Sequence, residues 1–166
     1  PLNANVEVWE GPDNTPVSMR VYGEDGRQRP VNAVVGGSRP FNTVAVRNTG
    51  PMEYPLAGNV AAAPASRAPA AAGRAFAATT IQGGALENFR LGYDVGSVEV
   101  LLSSDGMPIN AKIEILQGPN TNKQGIELYT DNGRDRPVSY LLETPGYGCV
   151  VEITNTGPME YPIKAS

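Results

Sequence analysis

The chain has no histidine, one cysteine and one tryptophan among its 166 residues. Without histidine there is no Ser-His-Asp or Cys-His triad and no imidazole to hold a metal. A single thiol, Cys149, excludes an internal disulfide. No run approaches the roughly 18 apolar residues that a membrane-spanning helix requires. The formal net charge of −4 argues against nucleic acid as a partner, because phosphate binding leaves a basic footprint. The acidic residues are scattered, and no two are marked as a pair by a flanking motif. Enzymatic chemistry is therefore not expected, and neither is a cofactor or a metal.

Glycine and proline are what the chain has in quantity, 19 and 15 residues, about a fifth of the total against a usual share near ~12%. Both break helix interiors, so a helical bundle is excluded and short strands joined by tight turns are expected. The segment Asn-Thr-Gly-Pro-Met-Glu-Tyr-Pro occurs at Asn48–Pro55 and again, letter for letter, at Asn155–Pro162. Sliding the chain by the same 107 positions aligns residues 1–56 with 108–163 without a gap and gives 21 identities in 56 positions. Gly26-Arg-Gln-Arg-Pro-Val31 falls on Gly133-Arg-Asp-Arg-Pro-Val138, and many of the other pairs are conservative, such as Val8 with Ile115 and Val46 with Ile153. Self-similarity at a fixed period is the mark of a repeat architecture.

The alternation of apolar and polar residues predicts strands over Asn5–Glu10 and Ala111–Leu116, and again over Ser18–Tyr22 and Gly125–Tyr129. Asp25-Gly26 and Asn132-Gly133 then supply the positive φ of a tight hairpin, followed by strands Pro30–Val35 and Pro137–Leu142, then Thr43–Arg47 and Cys149–Thr154. Ser97–Ser103, before the turn Asp105-Gly106, reads as a strand entering a hairpin that has no counterpart before Pro1. A matching strand upstream of Pro1 in the natural chain is expected on that ground. The fold class is all-β: two tandem homologous, antiparallel, sandwich-like repeats. They comprise residues 1–56 (lacking that first strand) and 97–166, with 57–96 as an Ala/Pro-rich connector and docking segment. Residues 57–78 hold 12 alanines with Pro64, Pro69, Arg67 and Arg74. Such a stretch acts as a flexible linker unless it docks on a protein surface, of its own chain or a neighbour's.

Three groups of residues are candidates for an assembly interface. The first is the repeated corner: Asn48, Thr49, Gly50, Pro51, Met52, Glu53, Tyr54 and Pro55, with Asn155, Thr156, Gly157, Pro158, Met159, Glu160, Tyr161 and Pro162. Its prolines and glycine make a rigid turn, and its Met and Tyr offer adaptable apolar contact or, equally, a cap on the core. The second is the pairs Arg27/Arg29 and Arg134/Arg136. At i and i+2 of a strand they share a face and would fork onto a partner's carboxylates, or else pair with nearby Glu24 and Asp131. The third is Arg67 and Arg74, which would meet the acidic 97–166 segment of a neighbour.

The twin segments ending in NTGPMEYP, each with a GRxRPV element and joined by an Ala-rich connector, resemble the pyrenoid shell (PyShell) proteins of diatoms over essentially the whole chain. The resemblance implies a non-enzymatic structural protein that self-assembles into a sheet around the Rubisco-rich pyrenoid of the chloroplast stroma. It would support CO2 fixation within a CO2-concentrating mechanism. It implies homo-oligomeric sheets or tubes, Rubisco or a pyrenoid matrix protein as a further partner, and a targeting presequence. No catalytic residues come with it. The rival readings are a tandem Ig-like or carbohydrate-binding sandwich, for which Trp9 has only Leu116 as its counterpart, and a hydrolase with paired carboxylates, which has no site motif.

Overall fold

In a computed structural model the described residues are 1–10, 14–36, 43–58, 60, 78–92, 94–117, 122–144, 148–158 and 160–165. They contain strands and turns and no helix. The strands are β1 (Leu2–Trp9), β2 (Val17–Gly23), β3 (Asn32–Val35), β4 (Thr43–Asn48), β5 (Thr79–Ile81) and β6 (Leu86–Arg90). They continue as β7 (Ser97–Ser103), β8 (Ile109–Leu116), β9 (Asn122–Thr130), β10 (Val138–Glu143), β11 (Val150–Asn155) and β12 (Ile163–Ala165). They form two antiparallel sheets, one ordered β4-β1-β2-β9-β8-β11-β6 and the other β3-β10-β7-β12-β5. Strict alternation drives this layering. In Ile109-Asn-Ala-Lys-Ile-Glu-Ile-Leu116 every second side chain is buried, beginning with Ile109. The buried positions of both sheets join in one apolar cluster that includes Val17, Ile113, Ile153, Leu102, Tyr140 and Leu142.

The ladder registers repeat at the sequence offset. Leu2 faces Gly23 and Val8 faces Val17 in β1–β2, while Ile109 faces Thr130 and Ile115 faces Gln124 in β8–β9. Likewise Val6 faces Val46 in β1–β4, and Ile113 faces Ile153 in β8–β11. Each position is 107 from its counterpart. The segments do not stand apart, because β2 pairs with β9 and β3 with β10, so each sheet draws strands from both. Those two ladders are symmetric under exchange: Val17 faces Thr130 and Gly23 faces Gln124, each pair being the other with its offsets swapped. A local two-fold axis thus passes between β2 and β9 and between β3 and β10. Ion pairs cross the same junction, Lys123 to Glu24 at 2.7 Å and Arg136 to Glu10.

Two local expectations are corrected. The turns after β2 and β9 do not close hairpins; they carry the chain from the seven-stranded to the five-stranded sheet, where β3 and β10 pair with each other. Neither Gly26 nor Gly133 has a positive φ. The Asp25 carboxylate instead accepts the N–H groups of Arg27 and Gln28, and the Asn132 side-chain oxygen accepts those of Arg134 and Asp135. These are Asx turns, in which a side chain stands in for a backbone carbonyl. Similarly β7 does not pair with β8. It crosses at Gly106, whose φ is 100°, and pairs with β10 and β12 in the other sheet. Alternation identifies a strand, but an arch and a hairpin need the same turn residues.

Candidate assembly surface

The two repeated corners are built alike, and asparagine builds them. Asn48 ends β4, donates from its side-chain amide to the Tyr54 carbonyl at 2.8 Å, and accepts the Gly50 N–H at 2.9 Å. Asn155 ends β11, donates to the Tyr161 carbonyl at 2.9 Å, and accepts the Gly157 N–H at 2.9 Å. Thr49 and Thr156 donate their N–H groups to Asn3 and Asn110 on the neighbouring strand, and Tyr54 and Tyr161 donate theirs to Pro51 and Pro158, both at 3.0 Å. A Cβ on Gly50 would sit 3.3 Å from the Asn48 side-chain oxygen, and one on Gly157 would sit 3.2 Å from that of Asn155, so a larger residue would press on the bond that closes the turn. The sequence pattern pointed to proline and glycine as the source of rigidity; the side-chain amide was the signal passed over, and the spacing Asn-x-Gly carries it.

The two corners differ in burial. Asn155 is fully buried and also donates to the Ile81 carbonyl at 3.0 Å, so the second corner is clamped beneath β5. Among the described residues no strand covers the first corner in this way. Met52 is 99% exposed, so it presents its thioether to solvent and caps no core, and Tyr54 is 47% exposed. Glu53, Pro51 and Pro55 lie on the same open surface. Met159 lies outside the described residues, as do Arg67 and Arg74.

The arginine pairs do not form forks on strands. They lie in the turns, where one guanidinium of each pair is tucked in and the other is exposed. Arg29 lies 3.9 Å from Glu24, and Arg136 is buried between Asp131, at 3.0 Å, and Glu10. Arg134 reaches the Asp105 carbonyl at 3.1 Å and Arg27 is solvent-facing. The inner arginines therefore bind carboxylates of their own chain. Among the described residues no three Cys, Asp or Glu side chains converge on a metal-sized site. The Cys149 thiol is buried, and desolvation pushes its pKa up, which suppresses the thiolate a nucleophile needs. The Asp25 carboxyl is held below the usual carboxylate range by the Arg27 and Gln28 N–H groups, a turn-building role.

The structure adds a surface that the alignment hides. Val151 and Ile153 of β11 are fully buried, whereas their counterparts on β4, Val44 and Val46, are 39% and 45% exposed. Ile113 and Tyr140 are buried, while Val6 is half-buried and Ala33 exposed. The second segment is roofed by β7, β12 and β5 of the five-stranded sheet; among the described residues that sheet ends at β3 on the first segment. Leu56–Gly58, aligned with β12, form no strand. In sequence Val44 and Val46 look like core, as their counterparts Val151 and Ile153 are.

A family model described as "Diatom pyrenoid shell protein" matches residues 1–166, the whole chain. No curated protein matches it.

Proposed function

The chain belongs to the diatom pyrenoid shell protein family, and on that premise we propose that it is a structural protein whose copies tile into a continuous sheet around the Rubisco-rich pyrenoid. The proposed place of action is the pyrenoid surface in the chloroplast stroma, with Rubisco or a matrix protein meeting one face of the wall and no cofactor taking part. The two aligned segments, in this reading, descend from one duplicated unit, and the local two-fold between them points related surfaces in opposite directions. Contacts of that kind which do not close on themselves propagate into sheets or tubes.

The observation that carries the reading is the pair of matched corners at the two wings of the seven-stranded sheet. Both are rigid, and the first displays Met52 and Tyr54 to solvent. A large, fully exposed thioether beside an aromatic ring on a pre-ordered turn has little folding role and suits lateral contact. Order in the free corner also lowers the entropy lost on association.

The test is negative-stain microscopy of the purified chain across a concentration series, beside a Met52→Glu, Tyr54→Ala double variant. Sheets or tubes from the unmodified chain, lost in the variant while its circular dichroism spectrum is kept, are the expected result. A chain that stays monomeric at every concentration refutes the shell reading.

A further inference from the structure

The local two-fold leaves the molecule through the centre of the outer face of the seven-stranded sheet. On β2 the side chains that alternate with buried Val17, Met19 and Val21 are Ser18, Arg20 and Tyr22. On β9 the matching positions are Gly125, Glu127 and Tyr129. Arg20 faces Glu127 in the ladder, and the two are also counterparts at the 107-residue offset, so this pair lies on the axis. Guanidinium and carboxylate are 3.6 Å apart, on side chains that are 72% and 55% exposed. True symmetry would set like against like there; divergence of the segments has set plus against minus. The pair belongs to a row that runs Arg47, Asn5, Arg20, Glu127, Lys112 and Thr154 across the sheet. Beside it opens a groove of about 460 Å³, lined among others by Asn5, Glu7, Ser18, Asn110 and Tyr129. The Asn5 side-chain oxygen finds no donor among the described residues of its own chain.

We propose that this face packs on the same face of a second copy about a two-fold axis parallel to the strands, a contact that deepens the self-assembly reading and rests on it. Sheets packed face to face keep their strands roughly aligned, about 10 Å apart. With the axis over the β2–β9 junction, each residue of a row meets the residue equally far across that junction in the other copy. Arg20 then meets Glu127, and Glu127 meets Arg20, so four charges alternate. Lys112 meets Asn5 and brings a donor to its unpartnered oxygen. In the next row Glu7 meets Asn110, and Tyr129 meets Ser18, which places the two rings in the facing grooves. In the row on the other side Asn3 meets Glu114 and Tyr22 meets Gly125.

Charge pattern selects a second copy as the occupant. Across these rows no charge meets its own sign. A uniformly acidic or basic partner would be repelled by Glu7, Glu114 and Glu127 or by Arg20, Arg47 and Lys112. A two-fold across the strands through the same row would set Arg20 on Arg20, Glu127 on Glu127 and Lys112 on Lys112, so the strand-parallel axis is the favoured one. The four central strands cover roughly 20 by 17 Å per copy. That area is at the small end for a stable pair, so the contact is reversible and weakens with salt.

Sedimentation of the chain over a concentration series at low salt tests the contact. Arg20→Glu and Glu127→Arg are run alone and mixed, with Leu141→Glu, exposed on the outer face of the five-stranded sheet, as control. The Arg20–Glu127 pair is exposed, so either change spares the fold, which circular dichroism checks. Alone, each variant sets like charges against each other between copies, and its dimer weakens at least about tenfold. Mixed in equal amounts, the two variants restore opposite charges at both contacts, and association returns to within about threefold of the unmodified chain. The pair inside each variant stays like-charged, so recovery on mixing reports the contact between copies alone. Single variants that associate like the unmodified chain, or a mixture no stronger than its components, overturn the contact; sheets in the same samples under the microscope then leave the shell reading standing. Recovery on mixing in a chain that never forms sheets supports the contact and refutes the shell. A Leu141→Glu loss as large as that of Arg20→Glu places the dimer on the other face, and the contact is wrong.

Discussion

Asn48 and Asn155 show how one residue type acquires different weight from its surroundings. Both close the same turn with the same bonds, yet Asn155 is buried and holds the Ile81 carbonyl as well, while Asn48 is exposed. Asn155→Ala leaves two carbonyls and the Gly157 N–H without their partner in the interior and lowers unfolding free energy by about 2–3 kcal/mol. Asn48→Ala exposes its former partners to water and costs about 1 kcal/mol or less. Urea unfolding of the two variants measures the difference, and equal losses would show that burial is not what separates them. The eight-letter repeat made the corner visible in the sequence. Its builder was not visible, because a side-chain to backbone bond depends on where the chain folds back.

At the scale of elements, the turns after β2 and β9 show the same asymmetry. A Cβ on Gly133 would meet Ser104 Oγ at 2.4 Å and Ile109 Cδ1 at 2.5 Å, because the roofing segment 104–107 packs against this turn. The nearest atoms to a Cβ on Gly26 would all belong to Leu2, the first at 3.1 Å. Gly133→Ala is expected to destabilise by about 1–3 kcal/mol through overpacking, and Gly26→Ala by less than about 1 kcal/mol as the half-buried Leu2 shifts. Thermal unfolding checks both, and a Gly26→Ala loss as large as that of Gly133→Ala would mean that the first turn is as tightly enclosed as the second. The strands expected from alternation lie within three residues of the observed ones at either end, and Ser97–Ser103 coincides with β7. Their partners were not, since period-two patterning sets which face is buried and says nothing about which sheet receives the strand.

At the scale of the whole molecule, the segments share both sheets and one apolar cluster, and ion pairs lock their junction. Neither can unfold without stripping a strand neighbour from the other, so calorimetry is expected to show a single cooperative transition. Two resolved transitions would mean that the segments are independent units.

The sequence by itself determined the strand-rich class, the 107-residue offset, the matched corners and the absence of histidine, because composition, identity and side-chain period are local properties. Only the tertiary structure decided that the segments interleave about a local two-fold, that Arg29 and Arg136 serve ion pairs within their own chain, and that Val44 and Val46 lie open while Val151 and Ile153 lie closed. The physical reason is that burial belongs to neighbours. Identical alternation gives a core at Val151 and Ile153, where β7 and β12 lie above it, and exposed side chains at Val44 and Val46.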